Sequence, residues 1–169
     1  QTTPIQLCLM TAQIANGGYK IYPKIVANDD NQYADKFTPL YKKSRNIKIV
    51  QDAMFSSTNE VRGTSYRSRL DDPKYRFAGK TGTSQVKKIT ELDRELDLKT
   101  FQIPYEERDH ALYVAFGPYK SPRYALSIII EHGGSGGTVA APLAKELFKM
   151  IVDRHEIRKN YDNKKYLDI

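Results

Sequence analysis

Four consecutive residues, Lys80-Thr81-Gly82-Thr83, combine a cation, two hydroxyl groups and a glycine that leaves the backbone uncovered. An ammonium group and hydroxyl donors held side by side suit a carboxylate, because hydrogen bonds to charged groups are stronger than those between neutral groups. Gly82 allows the backbone of an extended ligand to lie against this run. The run therefore predicts a carboxylate-binding site. Taken alone, so short a motif is more often an ordinary exposed lysine on a strand, so its surroundings must decide.

Two helices are predicted before this run. Thr3-Pro4-Ile5-Gln6 is a capping box with proline at the first helical position, and the helix that it opens is predicted to end at Asn16-Gly17-Gly18. A second amphipathic helix is predicted to end near Asn59. Between the helices, residues 19–26 are predicted to be extended and residues 28–31 to form a surface turn.

Three strands and a closing helix complete the predicted order. The first strand covers residues 75–86, where Gly79 and Gly82 indicate the close approach of another backbone, a ligand being one candidate. Residues 110–116 and 124–131 are rich in aromatic and β-branched residues and predict an antiparallel hairpin.

The last apolar period, over residues 138–152, predicts a helix. Residues 153–169 alternate charges without an apolar period and predict a frayed or exposed tail. The fold class is therefore α+β, an antiparallel sheet flanked by helices, with one domain over residues 1–152 and a charged tail over residues 153–169.

The composition is typical of a globular chain, with 169 residues of which 40% are hydrophobic and 28% charged. The net charge of +7 suits anionic surroundings such as membrane surfaces, cell-wall polymers or nucleic acid, without choosing among them. The single cysteine, Cys8, excludes an internal disulfide bond. No window approaches the roughly 20 apolar residues of a membrane span. Because Gln1 is neither an initiator methionine nor part of a signal-peptide pattern, we expect an internal fragment or a processed piece.

Other chemistries have weaker support. His110, His132 and His155 lack ligand spacing and Cys8 has no partner motif, so no metal site and no cofactor are predicted. The glycine-rich run at residues 133–138 lacks the lysine of a phosphate-binding loop, which favours a strand-to-helix turn.

The acidic residues Glu106, Glu107 and Asp109 flank Arg108 and are more typical of a solvated loop than of a catalytic carboxylate pair. The 12 tyrosines and many lysines suggest stacking and phosphate contacts, but no nucleic-acid-binding signature accompanies them.

Several separated stretches resemble the transpeptidase domain of class B penicillin-binding proteins, most closely the penicillin-binding protein 2 group. In order and spacing they span positions 3 to about 150, far more than one short motif. They are Thr3-Pro4-Ile5-Gln6-Leu7, Ala15-Asn16-Gly17-Gly18, Gly63-Thr64, Ala78-Gly79-Lys80-Thr81-Gly82-Thr83-Ser84-Gln85-Val86, Asp109-His110-Ala111 and Gly133-Gly134-Ser135-Gly136-Gly137-Thr138-Val139-Ala140-Ala141-Pro142.

The resemblance implies part of a penicillin-binding and serine β-lactamase-like fold, and part of a peptidoglycan D,D-transpeptidase. In that family a serine attacks D-Ala-D-Ala, and the acyl group passes to an amine of a neighbouring strand; β-lactams trap the serine. The resemblance implies that Lys80 and Thr83 are catalytic, through positive charge and an oxyanion-hole N–H. It implies that substrate is bound by Thr81, Gly82, Thr83, Ser84 and Gln85, with the Thr81 and Thr83 hydroxyls on its carboxylate.

The family also uses a Ser-x-x-Lys nucleophile and a Ser-x-Asn type triad, and neither is convincing here. Ser84-x-x-Lys87 lies at a strand, where positions three apart face opposite ways. Ser57-Thr58-Asn59 falls at the predicted end of a helix, a position that these residues favour. We therefore expect this chain alone to be inactive.

The resemblance further implies the periplasmic face of the bacterial inner membrane, with anchoring by an amino-terminal helix that is absent from this sequence. The implied partners are peptidoglycan stem peptides, β-lactam antibiotics and membrane proteins of the elongation complex, and not nucleic acid. Two alternatives remain open. One is a D,D-carboxypeptidase or β-lactamase of the same superfamily, and the other is a noncatalytic module that binds peptides or partner proteins.

Overall fold

The computed structural model describes residues 2–25, 38–42, 44–88, 91, 95 and 98–165, with side chains described up to residue 159. Within these residues the longer elements confirm the predicted α+β class. In chain order they are helices α1 (Pro4–Ala15) and α2 (Ser44–Asn59), strands β1 (Ala78–Ser84), β2 (His110–Gly117) and β3 (Tyr124–Ile130), and helix α3 (Ala141–Lys165). Among the described residues, no helix combines the length and apolar character needed to cross a membrane.

The strands form one antiparallel sheet in the order β1-β2-β3, so β1 is an edge strand and the predicted hairpin of β2 and β3 is confirmed. Lys80 pairs with Val114, and Thr81 pairs with Tyr113. Because neighbouring residues of a strand point to opposite faces, Lys80 and Thr81 serve different faces of the sheet.

Each face of the sheet has its own apolar core. On one face Phe77 and Tyr113 pack with Phe148 of α3, and the rings of Phe77 and Phe148 stack at 4.8 Å. On the other face Met54 of α2 packs with Phe116. The two cores fix the position of β1 between α3 on one side and α1 and α2 on the other.

The amino-terminal capping box is confirmed. The Gln6 backbone N–H donates to the Thr3 hydroxyl at 3.4 Å, and the Thr3 backbone N–H donates to the Gln6 side chain at 2.8 Å. α2 ends at Asn59, as predicted.

The first strand is shorter than the predicted span of residues 75–86. Tyr75 and Arg76 both donate their backbone N–H groups to the carbonyl oxygen of Asp72, at 3.0 and 3.1 Å, and this turn occupies the backbone that a strand would need. Residues 19–26 were predicted to be extended. In the described part of this stretch, the β-structure consists of one isolated bridge, between Tyr19 and Pro39. Residue 26 and the predicted turn at residues 28–31 lie outside the described residues.

The closing helix differs from the prediction at both ends. A π-helical turn, Gly136–Ala140, precedes α3, and this confirms a strand-to-helix turn at the glycine-rich run. The segment after Val152 was predicted to be frayed or exposed; it is not frayed up to Lys165, because the helix continues, but its residues 154–159 are exposed. Lys74 forms ion pairs with Asp153 at 3.4 Å and with Glu156 at 2.7 Å, so polar contacts anchor a segment that lacks an apolar period.

Candidate functional site

The Lys80-Thr81-Gly82-Thr83 run lies on β1, at the outer edge of the sheet. Lys80 and Thr83 are exposed, and Thr81 and Gly82 are half-buried. The four residues therefore present side chains and backbone to solvent rather than to the core. Among the described residues β1 pairs with a strand on one side only, and an open strand edge is the geometry that an added extended peptide requires.

The carboxyl end of α2 holds the beginning of β1. The Asn59 side-chain amide donates to the carbonyl oxygen of Phe77 at 2.9 Å and to that of Phe55 at 3.0 Å. Thr58 is fully buried, with its hydroxyl 2.9 Å from that of Tyr113. Thr58 and Asn59 therefore serve the helix end and the core, as the interpretation of Ser57-Thr58-Asn59 as a helix terminus predicted.

The Tyr113 side chain crosses β1 at Gly79. A Cβ atom at Gly79 would lie 2.3 Å from the Tyr113 hydroxyl oxygen. That hydroxyl is buried and lies 2.9 Å from the Thr58 hydroxyl and 3.0 Å from the Ser65 hydroxyl. Burial raises the pKa of Tyr113, so its hydroxyl stays neutral. The close approach predicted at Gly79 exists, but it is made by a tyrosine side chain and not by a backbone.

At Gly82 the close approach is made by another backbone segment, and this segment belongs to the same chain rather than to a ligand. A Cβ atom on Gly136 would lie 2.5 Å from the Gly82 carbonyl oxygen and 2.3 Å from that of Leu112. The π-helical turn before α3 therefore packs directly against β1 and β2. This contact fixes the middle of the candidate site from the α3 side.

A cleft of about 640 Å³ opens beside Lys80, on the face of the sheet that α1 and α2 cover. Its walls are largely apolar, and its polar lining residues are Ser56, Ser57, Glu60, Arg62, Thr64 and Lys80. The apolar part of the lining is formed by Met10, Ile14, Ile49, Val50, Ala53, Met54 and Val114.

A chain of side-chain contacts connects the run to the end of α2. The Lys80 ammonium group donates to the Thr81 carbonyl oxygen at 2.8 Å and to the Thr81 hydroxyl at 3.3 Å. The Thr81 hydroxyl lies 3.1 Å from the Thr64 hydroxyl, which lies 3.2 Å from the Ser57 hydroxyl. The sequence prediction gave Thr64 no role and interpreted Ser57 only as part of a helix terminus. The stretch Gly63-Thr64 was the available signal, because it belonged to the resemblance.

The two other predicted substrate-binding residues, Ser84 and Gln85, are exposed at the carboxyl end of β1. Lys87, the other member of the Ser84-x-x-Lys87 match, forms an ion pair with Glu107 at 2.7 Å. The Val86 backbone N–H donates to the Asp109 carboxylate at 3.3 Å. These contacts join β1 to the acidic loop, and they agree with a structural role for its carboxylates.

The histidines next to the sheet make structural contacts. The His132 backbone N–H donates to Nδ1 of His110 at 3.0 Å, and Nδ1 of His132 lies 3.1 Å from the carbonyl oxygen of Arg108. In the described part of the chain, no group of three His, Cys, Asp or Glu side chains is arranged to hold a metal ion. Cys8 is half-buried, and burial raises the pKa of its thiol.

Comparisons with known proteins agree on one family. The model of the penicillin binding protein transpeptidase domain matches residues 1–149. The peptidoglycan D,D-transpeptidase MrdA of Salmonella typhimurium is 33% identical over 165 residues, which cover 89% of this chain and 25% of that protein. The chain thus spans about a quarter of the length of the curated relatives that it matches.

Solved structures give the same result. The crystal structure of PBP2 from Pseudomonas aeruginosa matches with a TM-score of 0.66 at 30% identity, covering 89% of this chain and 30% of that one. The complex between PBP2 and MreC from Helicobacter pylori matches with a TM-score of 0.65 at 28% identity, covering 92% of this chain and 25% of that one.

Proposed function

Because this chain belongs to the penicillin-binding protein transpeptidase domain family, and is similar to its penicillin-binding protein 2 members, we propose that it forms part of a peptidoglycan D,D-transpeptidase. Its contribution is the strand that binds the substrate carboxylate and the developing oxyanion. The observation that carries this proposal is the position of Lys80, Thr81 and Thr83 on an edge strand of the described sheet, with Lys80 lining an open cleft.

In this proposal the reaction is an acyl transfer. A serine oxygen, outside the residues assigned here, attacks the carbonyl carbon of a stem-peptide D-Ala-D-Ala bond, and the terminal D-Ala leaves. The acyl group then passes to an amine of a neighbouring strand. β-Lactams acylate the same serine because they resemble the dipeptide.

The residues of β1 have separate tasks in this reaction. The Thr83 backbone N–H donates to the oxygen that becomes negative, and fixed donors of this kind stabilise the transition state by about 3 to 4 kcal/mol each. Lys80 supplies positive charge and assists proton transfer. The Thr81 and Thr83 hydroxyls bind the substrate carboxylate, while Gly82, Ser84 and Gln85 line the path of the peptide backbone.

The setting of the reaction is also a proposal. We place residues 1–152 in the carboxy-terminal portion of the transpeptidase domain and treat residues 153–169 as an appended tail, although its first part continues α3. The intact protein is proposed to act at the periplasmic face of the inner membrane, anchored by an amino-terminal helix. The PBP2 of the Helicobacter pylori structure is in complex with MreC, which supports membrane proteins of the elongation complex as partners.

Substitutions of Lys80 and Thr83 test the assigned roles in the protein expressed from the complete reading frame that contains this sequence. We expect Lys80→Ala to slow acylation by labelled penicillin about a hundredfold, because a fixed charge beside the developing anion is lost. Thr83→Val is expected to slow it about tenfold or more, because a hydrogen bond to a carboxylate is lost. Second-order acylation rates measure both effects.

Lys120→Ala and Thr2→Val are the matched controls, because each removes the same kind of group from an exposed position outside the candidate site. Unchanged rates for Lys80→Ala and Thr83→Val together would refute the assigned roles. Product analysis with a stem-peptide substrate then separates the reaction classes. A cross-linked product supports the transpeptidase, and transfer of the acyl group to water alone supports the D,D-carboxypeptidase or β-lactamase alternative.

A further inference from the structure

The hydroxyl of Thr64 lies between two other hydroxyls, 3.2 Å from that of Ser57 and 3.1 Å from that of Thr81. A threonine hydroxyl has one hydrogen to donate and two lone pairs that accept. The Thr81 hydroxyl already accepts from the Lys80 ammonium group at 3.3 Å. What the Thr81 hydroxyl can offer a ligand therefore depends on the direction of its hydrogen bond with Thr64.

A hydroxyl that binds a carboxylate must donate, because an ionised carboxylate only accepts. The Thr81 hydrogen is then committed to the ligand, and its contact with Thr64 persists only when Thr64 donates. In that arrangement Lys80 and Thr64 fill the two acceptor positions of the Thr81 hydroxyl. Ser57 in turn donates to Thr64. The chain of hydrogen bonds is then polarised toward the ligand.

The backbone around Thr64 is held in place from two sides. The Ser65 backbone N–H and side-chain hydroxyl both donate to the Ser57 carbonyl oxygen, at 3.1 and 3.0 Å. A Cβ atom on Gly63 would lie 2.2 Å from the same oxygen, and one on Gly137 would lie 2.7 Å from the Thr64 carbonyl oxygen. These contacts fix the backbone at Thr64, so its hydroxyl keeps a fixed position relative to β1.

We propose that Thr64 is a positioning residue that orients the Thr81 hydroxyl toward the substrate carboxylate, by donating a hydrogen bond to it from the turn that follows α2. This inference rests on the proposed function, because it assigns the carboxylate to Thr81. Thr64 itself does not touch the substrate. Its effect passes through the orientation of one hydrogen.

The test compares a penicillin that has a free carboxylate with its neutral methyl ester, in the protein from the complete reading frame. The ratio of the two acylation rates reports carboxylate recognition, whereas a general change in structure or in the nucleophile moves both rates. We expect Thr64→Val to lower the acid-to-ester ratio about tenfold, since valine keeps the shape of threonine but cannot donate. Thr64→Ser, which keeps the hydroxyl, should restore the ratio, and Thr2→Val should leave it unchanged.

The outcomes separate this inference from the proposed function. A wild-type protein that does not prefer the acid, or a ratio unmoved by Thr81→Val and Thr83→Val, overturns the carboxylate assignment itself. A ratio that falls in those two variants but not in Thr64→Val overturns the role of Thr64 alone. Equal slowing of acid and ester in Thr64→Val also overturns it, because a purely structural effect would then account for the change.

Discussion

Gly79 shows how one residue of the candidate site depends on the core beneath it. The Tyr113 ring extends under β1 to the turn after α2, where its hydroxyl lies 2.9 Å from Thr58 and 3.0 Å from Ser65. Only glycine leaves room for this path, since a Cβ atom would lie 2.5 Å from Cζ of Tyr113. Packing against Tyr113 thus fixes the backbone at Gly79. The position of Lys80 follows from this, because it is the next residue on the strand.

We therefore expect Gly79→Ala to destabilise the chain by about 2 to 4 kcal/mol, because overpacking is added to the disturbance of a buried hydrogen-bonded hydroxyl. Gly82→Ala is the matched control on the same strand, where the nearest atom to a new Cβ is Cβ of Leu112 at 3.2 Å. The free energy of unfolding from urea titrations measures both variants. Equal losses in the two would contradict the role given to Tyr113.

The residues of the candidate site were only partly predictable from the sequence. The run Lys80-Thr81-Gly82-Thr83 was identified as a carboxylate-binding candidate because its chemistry is local, while the roles of Lys80 and Thr83 were implied by the family resemblance. Thr64 and Ser57 were assigned no role in the site, because Thr64 contacts Thr81 only through the fold, and Ser57 is connected to Thr81 only through Thr64. A hydroxyl becomes informative only once its neighbours in space are known.

At the scale of elements, local sequence signals predicted the start of α1 and the end of α2, but they did not predict how far α3 extends. The capping box at Thr3 fixes the start of α1 within four residues, so it is visible in the sequence. The continuation of α3 beyond Val152 depends instead on partners far along the chain. Tyr75 donates its hydroxyl to Asp153, and Arg123 lies 2.9 Å from His155.

The anchoring of α3 is expected to depend on pH through Asp153. The hydrogen bond from Tyr75, and then the one from Lys74, hold the pKa of this carboxyl below its usual value. A carboxyl with a lowered folded pKa contributes stability that is present above its ordinary pKa of about 4 and is lost as the pH falls through the folded value. Asp153→Asn should therefore lower the urea midpoint near neutral pH and make progressively less difference below about pH 4.

Glu146→Gln, an exposed position on the same helix, measures the effect of removing one negative charge without touching this anchor. A midpoint difference between wild type and Asp153→Asn that stays constant from neutral pH down to about pH 3 would contradict the proposed contribution of the ionised carboxyl.

At the scale of the whole molecule, helices pack on both faces of the sheet, and the candidate site lies at its edge. α3 packs on one face, and α1 and α2 pack on the other, where they leave the cleft beside Lys80 open. In the proposed function, the ligand binds at this cleft and at the exposed part of β1. The aromatic and β-branched content of two segments predicted the hairpin, and the helical spacing of apolar residues together with the capping signals predicted the helices. The shape of the cleft could not be predicted, because it arises where α1, α2 and β1 meet.

The expectation that this chain alone lacks the nucleophile can be tested directly. The only Ser-x-x-Lys match in the sequence is Ser84 with Lys87, and it joins the end of a strand to a lysine that is ion-paired with Glu107. An activated serine needs its base within hydrogen-bond reach, and here the lysine is engaged elsewhere. We therefore expect labelled penicillin to leave the isolated 169-residue chain unlabelled while it labels the protein from the complete reading frame. Circular dichroism of the isolated chain establishes that it is folded during the assay. Covalent label on a serine of the isolated chain would show that a nucleophile lies within these residues, and peptide mapping would identify it.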